Sequence, residues 1–233
     1  MLKTILPLSA IALCLVPTIA GAQARAAITS LPSGFNLPHG MGAISISGLY
    51  GPRHVGRFDG DMGMALGFGD PVDGIGFAVS ADITSLENDF ADSGYFNVSA
   101  HRRFSGNGGY GSVNATISGL GAFGSASARQ VGGSVVVSWV SGTAGLPYMI
   151  TAGIANDITL TQEVQGILGF GLGLSDQWAV SAGINGNNNS LGVTYFPSFL
   201  SNSAVQVSLR NLGDSTRRGI GIDVGYAFNL FGD

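Results

Sequence analysis

Cysteine and lysine are nearly missing from this chain. The one cysteine, Cys14, and the one lysine, Lys3, both fall within the first 24 residues. Charge of either sign is scarce too: 10% of the residues are Asp, Glu, Lys or Arg, against about 25% in a typical soluble domain. A single thiol cannot build a disulfide framework. Cys14 follows Leu13, where a lipid-modified cysteine would follow a small residue, so it is not read as a lipid anchor. The net charge is negative and no basic cluster occurs. Both facts argue against nucleic acid as a partner, because that binding rests on Lys and Arg neutralising phosphates. No three-residue glycine period is present, which excludes a collagen-like helix.

The N-terminus has the order of a secretory signal. Lys3 precedes an apolar run from Ile5 to Ala20, and Ala22-Gln23-Ala24 supplies small residues for cleavage. The run is shorter than the roughly 20 apolar residues of a spanning helix. Residues 1–24 are therefore expected to be a signal peptide, and their removal leaves nine arginines against fourteen acidic residues, a formal charge of −5. Arg25 to Gly40, with Pro32 and Pro38, reads as an irregular arm; residues 41–233 read as one domain.

That domain is rich in glycine, with 38 in the whole chain, yet its apolar residues are placed too regularly for a disordered segment. From Met41 onward short alternating runs are separated by Gly, Asp, Asn, Ser and Pro clusters. Met62, Met64, Leu66 and Phe68 alternate with Gly63, Ala65, Gly67 and Gly69. Ile75, Phe77, Val79, Ala81 and Ile83 oppose Gly74, Gly76, Ala78, Ser80 and Asp82. Trp178, Val180, Ala182 and Ile184 oppose Ala179, Ser181, Gly183 and Asn185; Val205, Val207 and Leu209 oppose Ala204, Gln206, Ser208 and Arg210. Val136 and Ile167 break the rule.

Twelve such runs are present, most of about 8–12 residues, close to the roughly 9–11 that a tilted strand needs to cross a bilayer. A soluble sandwich also alternates, but its wet face carries Lys, Glu, Arg and Thr. Here that face carries Gly, Ala, Ser and Asn, a poor solvated surface. The fold expected is an all-β, antiparallel transmembrane β-barrel of about 12 strands, with 10–14 allowed by size. Longer connections are expected near 51–60, 84–93 and 121–131, and tight ones near 69–73, 142–146 and 175–177, with the turn at 197–202 longer than its neighbours. Tyr50, Phe104, Tyr148, Trp178, Tyr195 and Tyr226 fall near strand ends, where interfacial girdles would place them.

The last run is the most telling. Ile220, Ile222, Val224, Tyr226, Phe228 and Leu230 share one face, while Gly221, Asp223, Gly225, Ala227 and Asn229 share the other. Within it Asp223, Gly225, Phe228 and Leu230 match the pattern polar, any, Gly, any, any, hydrophobic, any, hydrophobic. This resembles the C-terminal assembly signal of Gram-negative outer-membrane β-barrel proteins, with the difference that Phe231-Gly232-Asp233 follow. The resemblance implies an outer-membrane location, recognition by the outer-membrane insertion machinery, contact with outer-membrane lipid and lipopolysaccharide, and a small porin-like channel. Sugar-acid channels of similar length have arginine-lined lumens. Here only Arg210 and Arg103 are candidates for such a role, so their substrate class is not carried over.

Signals of other chemistry are weak. Gly106 to Gly111 and Gly119 to Gly124 match G-x-G-x-x-G, but neither stands in the strand-helix frame that dinucleotide binding needs. His39, His54 and His101 have no metal-ligand spacing. No G-x-S-x-G elbow occurs, so no catalytic residue, metal or cofactor is expected. Asp82, Glu87, Asp89 and Asp92 read as a solvated acidic loop. Arg102-Arg103 and Arg217-Arg218 stand at strand ends, suited to lipid phosphates or to keeping those ends in water. Two functions remain. One is passive diffusion of small solutes, with Arg210, Asp82, Asp223, His101 and Arg103 lining the lumen. The other is a non-conducting structural or surface-interaction barrel acting through its outer loops.

Overall fold

The computed structural model describes residues 26–51, 59–84, 86, 90–143, 146–156, 163–186, 188–213 and 218–230; the expected signal peptide lies outside them. Twelve strands follow one another along the chain: β1 (Met41–Tyr50), β2 (Asp59–Gly69), β3 (Gly76–Ile83), β4 (Gly94–Gly106), β5 (Gly109–Phe123), β6 (Gly132–Thr143), β7 (Leu146–Ala155), β8 (Gln165–Gly173), β9 (Trp178–Asn185), β10 (Asn188–Tyr195), β11 (Ser203–Arg210) and β12 (Gly219–Asn229). Each pairs antiparallel with its neighbours, and β1 closes on β12 in register from Met41↔Asn229 to Tyr50↔Ile220. The result is the closed twelve-stranded barrel that the alternation predicts. Closure gives every strand a partner on both sides, the condition for a sheet to stand in hydrocarbon.

The two faces divide as the period of two requires. Leu66, Phe77, Val79, Phe170, Val193, Val207 and Ile222 point outward and are each roughly half exposed. Between them Ala65, Ala78, Ser80, Ser181, Thr194, Gln206 and Ser208 point inward and are buried. An outward apolar band with a small, polar interior is the reverse of a soluble β-protein and matches a barrel solvated by lipid.

With an even number of strands, β1 begins and β12 ends at the same rim, here called the chain-end rim. Tight connections at 70–75, 107–108, 144–145 and 174–177 lie there, while 51–58, 84–93, 156–164 and 211–218 join strands at the far rim. Two connections depart from the trend: 186–187 is short at the far rim, and 196–202 is longer at the chain-end rim. The stretch 121–131 is not a single loop. β5 continues to Phe123 and a short 3-10 helix covers Gly124–Ala128. Gly119 and Gly121 take φ of +77° and +58°, and β5 pairs with β6 only as far as Ser118↔Gly132. Beyond that point it stays on β4 alone, through irregular register.

Aromatic pairs ring the chain-end rim on the outer surface: Phe104 with Trp139, Tyr148 with Phe170, Trp178 with Tyr195, and Tyr226 with Phe228, ring centroids 4.8–6.5 Å apart. Amphipathic rings favour the level where hydrocarbon meets headgroups. Of the aromatics expected near strand ends, Tyr50 alone stands at the far rim.

The arm does not lie across a rim. Residues 26–40 run inside the barrel, and Ala26, Ile28, Leu31, Phe35 and Leu37 are all buried. Two apolar clusters hold them. One joins Ala26, Ile28, Leu31 and Phe35 to Val136, Val140, Met149, Ala155 and Ile167 of β6, β7 and β8. The other joins Leu37 to Met41, Ala65 and Ala227. Val136 and Ile167, the exceptions to the alternation, thus point inward to meet the arm.

Close approach explains several wall glycines. A Cβ at Gly67 would stand 2.5 Å from the Leu37 carbonyl oxygen, and one at Gly171 would stand 2.9 Å from the Ala27 carbonyl carbon. Gly166 on the outer face meets nothing within 4 Å. Gly67→Val and Gly171→Val are therefore expected to unseat the arm at a cost of about 1–3 kcal/mol, the usual penalty of overpacking. Faster proteolytic cleavage within 26–40 of the folded barrel would show it, while Gly166→Val should cleave like the parent. Equal cleavage of all three would contradict the packing described.

Candidate functional site

The lumen is the candidate site. The arm runs through it, from Leu37 near the chain-end rim to the cluster with Ala155 and Ile167 toward the far ends of β7 and β8. Ser30 turns it, with φ of 63°, and its polar groups are met by hydroxyls from strands all round the wall. Thr29 donates its N–H to Ser181 Oγ at 3.1 Å, and the two hydroxyls lie 3.0 Å apart. Ser30 reaches Ser208 at 3.3 Å. Gly34 N–H donates to Ser138 Oγ at 2.8 Å, Asn114 Nδ2 donates to the Ser33 carbonyl, and Asn36 Nδ2 donates to Ser99 Oγ at 2.6 Å. Contacts to β4, β5, β6, β9 and β11 from one short segment can arise only from inside the ring. The Phe35 ring meets Tyr110 edge-on at 5.4 Å.

Two charged networks stand toward the far rim. Arg210 lies flat along the wall over Gly221, where a Cβ would stand 2.5 Å from the guanidinium. Its Nε donates to Ser208 Oγ at 2.9 Å and its Nη2 to Asp223 Oδ2 at 2.7 Å. Three strands round from β12, on β3, Asp82 Oδ2 accepts from Asn97 Nδ2 at 2.5 Å; Asn97 also donates to Ser80 Oγ, and its Oδ1 accepts the Gly119 N–H. Arg129, just past the 3-10 helix, sits over the buried ring of Tyr95 with 4.2 Å to the centroid. Charge of both signs is thus held against the wall rather than left free in the middle.

All five lumen candidates face inward. Arg210 and Asp223 form one ion pair, and Asp82 belongs to a separate network beside Asn97. His101 and Arg103 lie near the chain-end rim on β4. The His101 ring packs over Gly76, where a Cβ would stand 2.5 Å from Cε1, and the Arg103 N–H donates to the Pro71 carbonyl at 2.7 Å. Of the residues matching the expected assembly signal, Asp223 and Gly225 face the lumen, Phe228 faces outward and Leu230 lies just beyond β12. Of the acidic loop, Glu87 and Asp89 lie outside the described residues, as does Arg217. Among the described residues no group of three or more His, Cys, Asp or Glu could hold a metal ion.

Nothing in the sequence marks the wall hydroxyls as partners of the arm, or Arg129 and Tyr95 as part of the far mouth. Serines are too many for position alone to single out Ser138 or Ser181. Val136 and Ile167 were the available signal, since an inward apolar residue in a small-residue wall needs something apolar to meet.

Breaking the Arg210–Asp223 pair leaves a buried carboxylate uncompensated. Arg210→Ala is expected to cost about 3–5 kcal/mol, read as a lower temperature at which the folded barrel loses its fast gel mobility. Arg210→Met with Asp223→Asn should recover most of the loss. A double variant as unstable as the single one would show that the pair is not what matters there.

No family model matches the chain, and no curated protein matches it in sequence. Among solved structures it is similar to one described as "KdgM porin", at 10% identity and a TM-score of 0.53, over 80% of this chain and 99% of that one. At such identity the likeness is one of architecture, and the fold of this chain is a porin-type β-barrel.

Proposed function

We propose that this chain is an outer-membrane channel of porin type, exported by its N-terminal signal, through which small solutes diffuse when the arm yields its place in the lumen. The observation that carries this reading is the arm itself, seated in a closed barrel with an apolar belt outside and a polar wall inside. Eight strands close around side chains that fill the interior, whereas sixteen to eighteen leave an aqueous channel. Twelve strands walled by Gly, Ala and Ser enclose more space than the wall side chains fill, and the arm occupies part of it. Its attachment is noncovalent, a set of neutral hydroxyl hydrogen bonds each worth about 0.5–1.5 kcal/mol net, together with Ile28, Leu31 and Phe35.

The far end of the lumen would act as a weakly selective vestibule, because Arg210 and Asp223 offset one another while Asp82 stands three strands round on β3. The fold shared with a protein described as a porin supports the channel reading. Asp223, Gly225, Phe228 and Leu230 would serve insertion by the outer-membrane machinery. The buried inner wall favours a second reading, a non-conducting structural barrel that acts through the far-rim loops.

Planar-bilayer recording separates the two. The protein would be compared with a chain lacking residues 26–37, and with Leu31→Asp/Phe35→Asp, which keeps the arm's length but weakens its seat. Gel mobility that shifts on boiling would certify each barrel as folded. Small or intermittent steps from the parent, rising several-fold in both variants, are expected of a gated pore. Silence from all three folded proteins would overturn the channel reading in favour of the structural one.

A further inference from the structure

The outward faces of the twelve strands carry one charged side chain among the described residues, Arg102 on β4. It sits between Ala100 and Phe104 on that face, opposite Val113 of β5. Arg103, its neighbour in sequence, points into the lumen, so the arginine pair is split by the wall. An outward arginine costs about 2–4 kcal/mol at the middle of a bilayer and about 0–1 near its surface. Two residues from Phe104, in the aromatic girdle, Arg102 stands where its long side chain can lay its stem on the wall and carry its head to the headgroup level. No ion pair among the described residues neutralises it.

Just above it, toward the far rim, the outer wall is dented. A groove of about 510 Å³ is floored by Ala100, Ala115 and Gly133 and walled by Phe77, Ile117 and Ile154. Register explains the dent. Phe77, Ala100 and Ala115 lie side by side on β3, β4 and β5, so two small residues follow one large one. Beyond Ser118, β5 parts from β6 and leaves the upper end open. The groove and Arg102 thus form a continuous track: apolar along its length, cationic at the end nearest the girdle.

We propose that this track binds one anionic glycerophospholipid of the leaflet at the chain-end rim, its phosphate on the Arg102 guanidinium and one acyl chain in the groove. Guanidinium and phosphate are matched in charge and in hydrogen-bonding geometry, and the depth of Arg102 suits a headgroup rather than a free ion. The proposal rests on the barrel standing in a bilayer.

The test is native mass spectrometry of the full chain released from nanodiscs of phosphatidylglycerol mixed with phosphatidylcholine. Arg102→Gln removes the cation, and Ala115→Phe or Ala100→Leu fills the groove. The parent is expected to retain one phosphatidylglycerol. Each variant should retain roughly tenfold less, the effect of about 1.4 kcal/mol, for Arg102→Gln close to the lower end of what one charge-assisted contact contributes. Retention unchanged in Arg102→Gln, or in both groove variants, would overturn the site. Failure of the bilayer reading would look different: the parent would not enter the discs as a heat-modifiable barrel at all.

Discussion

Everything inside this barrel follows from a mismatch of volume. Twelve strands set a wide ring, and the wall residues that face inward are mostly Gly, Ala and Ser, too small to fill it. The arm at 26–40 resolves the mismatch. It supplies the large side chains that the wall lacks, Ile28, Leu31, Phe35 and Leu37, and accepts in return the hydroxyl and amide partners its own backbone needs. A segment with two prolines and no regular structure carries many backbone groups without partners of its own, and burying them is tolerable only when the surroundings provide hydrogen bonds. Ser181 of β9, Ser138 of β6 and Asn114 of β5 do so for the Thr29 and Gly34 N–H groups and the Ser33 carbonyl.

The same mismatch shapes the lumen. Along the arm the contacts are hydroxyl and amide hydrogen bonds and apolar packing. Toward the far rim Arg210 with Asp223 and Asp82 with Asn97 line the wall, and Ser208 touches both Ser30 of the arm and Arg210. The glycines of β2 and β8 allow close approach of the arm, while Gly221 lets Arg210 lie down against the wall. The small wall residues therefore act as seats for larger groups from elsewhere in the chain.

Strand number, inward and outward faces and the inward placement of Arg210, Asp82, Asp223, His101 and Arg103 were legible in the sequence, because a period of two is a local property that survives any tertiary context. The path of residues 26–40 was not. An aperiodic segment carries no signal of which surface it will cover, and its partners are scattered over five strands distant in sequence. The extension of β5 through Phe123 was missed for a related reason. Gly119, Gly121 and Gly124 look like loop formers, yet here they bend a strand that continues. Splitting Arg102 from Arg103 was implicit in the alternation of β4, although adjacency in sequence suggested a shared role at the strand end. The breaks at Val136 and Ile167, which look like noise in the pattern, mark where the wall packs against the arm.

The most direct test of the account is a disulfide between arm and wall. Thr29→Cys with Ser181→Cys places two thiols where hydroxyls now lie 3.0 Å apart, in a chain whose only other cysteine, Cys14, lies in the expected signal peptide. If the arm occupies the lumen, mild oxidation of the folded barrel in membranes will join the pair nearly completely, while Thr29→Cys with Ser80→Cys on the opposite wall will not join. If the first pair stays reduced and both thiols react freely with a water-soluble maleimide, the arm is outside and the lumen is open.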